Sequence, residues 1–155
     1  MNIIYVIEDY SENGGVERIV SDKANTLSTQ YHHNVTLISV YRDNRKEQFK
    51  LDDGINLIHL DVPFVKRTNN SLLRLISRLY TIFIAILRLN KEIKELHPDI
   101  IFFTTTLGAI LLPFCRTKAR KIYESHLARN FNPFNKLFFL TELRAERIVC
   151  LTSGD

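Results

Sequence analysis

The chain is poor in cysteine: Cys115 and Cys150 are the only two in 155 residues. Two cysteines make neither a disulfide framework nor a zinc pattern. Each stands beside apolar neighbours, so both are expected as buried thiols in a reducing cytosol. Long uncharged apolar runs are also missing. Arg74, Arg78 and Arg88 interrupt the most apolar stretch, Leu72 to Leu89, and its longest uncharged run, Leu79 to Leu87, has nine residues. A bilayer span needs ~20, which excludes a crossing there. No charged region precedes an apolar signal core at the N-terminus, so no secretion signal is expected and the location is read as cytoplasmic. There is no internal repeat and no low-complexity tract. No His, Cys or carboxylate set has ligand spacing, so no metal is expected. The net charge of +4 is compatible with anionic ligands or a membrane surface and too weak to imply nucleic acid.

What is present is an ordinary globular composition, 45% hydrophobic and 25% charged, which argues against disorder. Its length makes residues 1–155 one domain with a sizeable core. Strand candidates are Ile3–Ile7, Val35–Val40, Ile55–Leu60, Ile100–Phe103, Lys121–Glu124 and Ile148–Leu151. Several are nearly continuous in apolar or β-branched residues, as strands covered on both faces of a parallel sheet should be. Val16, Ile19, Val20, Ala24 and Leu27 mark one helical face. Leu72–Leu96 reads as a long helix ended by His97-Pro98. Another helix covers Pro133–Glu146, with Pro133 near its first turn. Strand–helix alternation of this kind predicts a Rossmann-like, doubly wound α/β domain, with a mostly parallel sheet of about six strands and helices on both faces. Ile148–Leu151 followed by Thr152-Ser153-Gly154-Asp155 reads as a strand leading into a helix cap, and suggests a piece of a longer protein.

Chemistry is expected first at the turn after the opening strand. Gly14 and Gly15 stand where a strand hands over to a helix, the place where open α/β sheets bind anionic ligands. A phosphate or sugar could approach main chain that carries no side chain. The bland alternative is that the pair supplies only an awkward turn. Glu124-Ser125-His126 follows the fifth strand at the same carboxyl edge, where a histidine can move a proton near neutrality or bond a sugar hydroxyl. Here the alternative is a loop histidine facing water. His32-His33 lies at the opposite edge and is read as solvated. On the long helix, Arg74, Arg78, Thr81, Arg88, Lys91 and Glu95 form a narrow polar stripe. The preferred reading is a helix buried deeply in its own domain. The other is peripheral membrane contact, with Lys66, Arg67 and the stripe arginines meeting anionic head groups.

Two further readings fail on the residues. A nicotinamide-binding unit wants G-x-G-x-x-G, which Asn13-Gly14-Gly15-Val16-Glu17-Arg18 does not supply. A phosphoacceptor receiver needs a lysine where Glu124-Ser125-His126 stands.

The opening Asn2-Ile3-Ile4-Tyr5-Val6-Ile7, followed by Gly14-Gly15-Val16-Glu17-Arg18, resembles the N-terminal domain of glycosyltransferase family four, enzymes of the GT-B fold. Asn34–Ile38, His97-Pro98-Asp99-Ile100-Ile101, Glu124-Ser125-His126 and Ile148–Ser153 occur in the order of the same template. The resemblance implies sugar transfer from a nucleotide-sugar donor to a glycan or lipid-linked acceptor, with retention and without a metal, at the cytoplasmic membrane face. By the same carry-over His126 is the catalytic candidate, and Gly14, Gly15, Arg18 and Glu124 are donor- or acceptor-binding candidates. An exposed first-turn Glu-Arg pair also has a purely helix-electrostatic explanation for Arg18. Such enzymes carry a second, C-terminal domain with most donor contacts and an E-x7-E motif, absent from these residues. The fragment alone is therefore expected to be inactive. The competing reading is a non-catalytic binding module for an acceptor or partner protein.

Overall fold

A computed structural model describes residues 1–42, 47–63, 70–125 and 135–150. The element order is β1 (Asn2–Ile7), α1 (Gly15–Thr29), β2 (Asn34–Ser39), β3 (Asn56–His59), α2 (Ser71–Leu96), β4 (Ile100–Thr104), α3 (Thr105–Leu111), β5 (Arg120–Ser125), α4 (Asn135–Arg144) and β6 (Arg147–Cys150). A single 3-10 turn, Leu112–Phe114, follows α3. The strands form one sheet in the order β3-β2-β1-β4-β5-β6, and every pairing is parallel. The Rossmann-like doubly wound expectation holds, at six strands.

The alternation of side chains along a strand explains why apolar runs were needed. Ile3, Tyr5 and Ile7 of β1 join Val20 and Ala24 of α1 in one core. Ile4 and Val6 join Ala85, Leu89 and Ile93 of α2, together with Leu107 and Leu111 of α3, in the other. Tyr5 stacks on Phe102 with ring centroids 4.6 Å apart.

The long helix starts on the side chain of Asn70, which accepts from Leu72 N and Leu73 N. It stops where His97-Pro98 predicted, although His97 closes it in the left-handed region (φ 45°) rather than the extended one. Three expectations are corrected. Only Thr81, Ala85, Leu89 and Ile93 of α2 are buried, so the helix is not deeply enclosed, and its N-terminal half stands in solvent. Thr81 leaves the polar stripe: it is buried, with its hydroxyl donating to Ser77 O at 2.9 Å. Cys150 is exposed while Cys115 is buried, because β6 is an edge strand whose four residues all face solvent.

α3 carries no sequence expectation. Thr104-Thr105-Thr106 continues the β-branched character of β4, and Gly108 weakens the helical signal. Gly108 is nonetheless useful, since a Cβ there would press within 3.3 Å of Phe103, where α3 folds back on its own strand. No helix among the described residues is long and apolar enough to cross a membrane.

Candidate functional site

In a sheet ordered 3-2-1-4-5-6, the chain changes winding direction between β1 and β4. The crevice outside the carboxyl ends of those two strands is where such sheets bind ligands. The segment from Glu8 to Gly15 after β1 and the Thr104-Thr105 turn after β4 are its two lips.

The first lip is built from local polar chemistry. Asp9 Oδ1 accepts from Ser11 N at 2.9 Å and from Ser11 Oγ at 2.6 Å, closing a side-chain turn. Tyr10 N donates to Ser39 Oγ at 3.0 Å, and the Tyr10 hydroxyl bonds Ser21 and donates to Phe49 O at 2.9 Å. Tyr41 N donates to Glu8 O at 2.8 Å, so the end of β2 fastens the other side of the segment. Neither glycine uses a positive φ. Gly14 is the extended N-cap of α1, and a Cβ there would collide with the carboxylate of Glu17. The atoms met are the far end of the side chain of Glu17, a buried residue in the first helical turn, so a side chain at 14 would make Glu17 turn aside. A Cβ on Gly15 would meet nothing within 4 Å, which leaves its main chain open to a neighbour.

This lip is acidic. Partial desolvation, helped by the charges of Glu12, Asp9 and Glu17, raises the Glu8 carboxyl above its ordinary range. Carboxylates in this arrangement can accept hydrogen bonds from hydroxyls. No group of three or more potential metal ligands occurs among the described residues.

The second lip is strained. Thr105, β-branched, sits at φ 63°, and its Oγ1 is buried with no hydrogen-bond partner. The preceding residue is held firmly, with Thr104 Oγ1 donating to Val6 O at 3.0 Å across the β1–β4 junction. His59 Nδ1, at the carboxyl end of β3, is the other unpartnered buried side-chain atom among the described residues. Sequence reasoning passed over Thr105; its signal is local only in the sense that three consecutive threonines end an apolar strand.

Glu124 lies beside this junction, on β5 in register with Thr104. It is buried, and both of its oxygens accept from Lys23 Nζ at 3.0 Å. Burial, with the Glu124 charge beside it, pushes the Tyr5 hydroxyl far above its normal range. Glu124 is therefore tied to α1 at the site's margin. Arg18 is exposed one turn into α1. His126 lies outside the described residues; Ser125, immediately before it, ends β5 at the same carboxyl edge as Ile7 of β1. Lys66, Arg67, Pro133 and Thr152–Asp155 also lie outside them.

Depressions of about 340 Å³, against Asn25 and residues 50–53, and about 490 Å³, around His97 and Arg116, lie away from these lips.

No protein-family model and no curated protein matches the chain. Solved structures do. The lipopolysaccharide outer core galactosyltransferase WaaB, in its apo form, superposes with a TM-score of 0.69 at 15% identity, over 99% of this chain and 40% of that one. Sucrose-phosphate synthase from Thermosynechococcus elongatus gives 0.67 at 10% identity, over 95% and 41%. A putative UDP-N-acetylglucosamine 2-epimerase from Listeria monocytogenes gives 0.55 at 14% identity, over 99% and 40%. The chain spans about two fifths of the length of these structures. What it shares with them is a fold: the six-stranded, Rossmann-like α/β unit found in GT-B glycosyltransferases.

Proposed function

We propose that this chain is the acceptor-side, N-terminal half of a GT-B glycosyltransferase that moves a sugar from a nucleotide-sugar donor to a glycan or lipid-linked acceptor at the cytoplasmic membrane face. The observation that carries the reading is the pair of built lips at the β1–β4 crevice, in a sheet that superposes on galactosyltransferase and synthase halves. Glu8 and the open main chain at Gly15 offer hydrogen bonds to acceptor hydroxyls. The donor, with its diphosphate, is assigned mainly to a second, C-terminal domain facing this wall. His126, which follows β5, is assigned to the reacting sugar or acceptor, with Arg18 at the rim and Glu124 positioning the β5 end. No metal is assigned to the reaction, and retention of the anomeric configuration rests on the family-four resemblance alone.

One wall of a cleft gives neither the donor clamp nor the exclusion of water that transfer requires. The isolated 155 residues should accordingly fail to turn over nucleotide sugars. The test is the gene. A reading frame that continues past codon 155 with an E-x7-E motif supports the reading, as does loss of turnover in the longer protein on His126→Ala. A genuine stop, or turnover unaffected by His126→Ala, overturns it in favour of the non-catalytic binding module.

A further inference from the structure

The larger depression, about 490 Å³, opens at the amino edge of the sheet, between the last turn of α2 and residues 116–119, which lead into β5. β4 starts at its rim and ends at the crevice, so five residues of strand, ~15 Å, separate the two. Its two walls are fixed to each other. Asn90 of α2 donates to Phe114 O at 3.1 Å and accepts from Arg116 N at 2.7 Å, so one amide side chain holds the backbone on both sides of Cys115. Lys121 Nζ donates to Cys115 O at 3.4 Å. Thr117 Oγ1 accepts from Ala119 N at 3.0 Å, which closes the turn that carries Lys118.

The depression is cationic. Lys94 comes from one wall, Arg116 and Lys118 from the other, and all three are exposed. Among the described residues none of the three is in an ion pair. The nearby acids are engaged or turned away. Asp99, which also lines the depression, accepts from Asn2 N at 2.7 Å. Glu92 and Glu95 project roughly 150° around the helix from the side that Ile93, Lys94 and His97 present to the depression. Glu95 pairs with Lys91 at 3.9 Å, and Glu146 with Arg120 at 2.8 Å. The carbonyls at the end of α2 account for Lys94 by themselves. Arg116 and Lys118 stand on another segment, where no helix end calls for a cation.

We propose that this depression binds a diphosphate group, free or borne by a nucleoside, at a site separate from the crevice. Two linked phosphates reach both walls at once, with the Arg116 guanidinium in two-pronged bonds and Lys94 and Lys118 as point charges. A single orthophosphate would leave one wall's charge unanswered. The volume is that of a small-ligand site and leaves room for a nucleoside against Pro98 and Ala119. Because Asn90 pins the loop to the helix, little backbone has to be ordered when the anion arrives. None of these residues belongs to the crevice, so the site stands whether or not the chain transfers sugar.

The test is isothermal titration calorimetry of the 155-residue chain with inorganic pyrophosphate, with adenosine diphosphate and orthophosphate beside it. Binding of a diphosphate is expected, at least ~10-fold weaker for Arg116→Ala/Lys118→Ala and weakening as salt is raised above about 0.15 M. Arg116→Lys keeps the charge and loses the fork, and should fall between the parent and the double variant. Lys50→Ala/Lys91→Ala removes the same charge from elsewhere on the surface and should bind as the parent does. Unaltered far-UV circular dichroism shows that the variants are folded, as replacement of exposed side chains predicts. Adenosine diphosphate bound more tightly than pyrophosphate, and weakened by Arg116→Ala/Lys118→Ala, assigns the site to a nucleoside-borne group; the reverse order assigns it to the free anion. Absence of binding by both, or equal binding in the two double variants, overturns the proposal. So does an orthophosphate affinity that matches that of pyrophosphate.

Discussion

Lys23 on α1 and Glu124 on β5, 101 residues apart, form a two-pronged ion pair at 3.0 Å with the carboxylate buried and the ammonium half exposed. α1 covers β1 and β2, so this side chain reaches past β4 to hold the carboxyl end of β5. Lys23→Ala leaves a buried carboxylate without its cation and should cost about 1–3 kcal/mol, while Glu124→Gln with Lys23 retained should cost less, because the lysine can still turn to water. Urea denaturation of both variants checks the order; equal losses would mean the pair contributes nothing beyond packing.

Gly14 and Gly15 should separate cleanly. Gly14→Ala makes the carboxylate end of Glu17 turn aside and weakens an N-cap, and should destabilise the chain by about 1 kcal/mol, part of which Glu17→Ala in the same molecule removes. Gly15→Ala, at an open position in the first helical turn, should leave stability unchanged or raise it by up to about 1 kcal/mol. In a protein that pairs this domain with the proposed C-terminal one, it should lower turnover if a ligand approaches that main chain. Thermal melts and turnover read the two effects independently, and full activity in Gly15→Ala would remove the main chain there from the site.

Thr105→Gly relieves a left-handed conformation and deletes an unpartnered hydroxyl. The relief is worth about 1–3 kcal/mol and the flexibility of glycine returns about 0.5–1. The melting temperature should rise. A fall would mean that Thr105 is not strained.

Glu8 has a clear pH sign. Its folded carboxyl is raised above its unfolded value, so its contribution is fully present below the unfolded range and is lost as pH rises through the folded one. Glu8→Gln should therefore be more stable than the parent at neutral pH, and the two should converge in acid. The side chain keeps solvent contact, which screens the effect and keeps it small. Chemical denaturation at several pH values measures it; a difference that grows in acid would reverse the assignment.

The two thiols should react very differently. Burial pushes the Cys115 thiol up to about 11, so almost no thiolate exists at neutral pH, whereas Cys150 is exposed. A maleimide should label Cys150 in the folded chain and Cys115 only after denaturation. Prompt modification of both would place Cys115 at the surface.

Sequence alone determined the framework. Ile3–Ile7, Val35–Val40 and Ile100–Phe103 could be read as strands because a residue between two covered faces must be apolar at every position, and that requirement is written locally. The stop of α2 at His97-Pro98 and the helical face of α1 were legible for the same reason. The ordering of strands and helices then implied a parallel sheet and a carboxyl edge carrying the Gly14-Gly15 turn. What the tertiary structure decided depends on partners far away in the chain. The face of α2 that is buried was ambiguous because leucine and isoleucine surround much of its circumference; only packing on the sheet chose the Thr81–Ala85–Leu89–Ile93 stripe and left Leu75 and Leu79 in solvent. Cys150 looked internal because its strand is apolar, yet apolarity cannot distinguish a central strand from an edge. Glu124 pairs with Lys23, a partner 101 residues away that no local pattern announces. Periodicity reports which residues want cover, and only the assembled sheet determines which of them receive it.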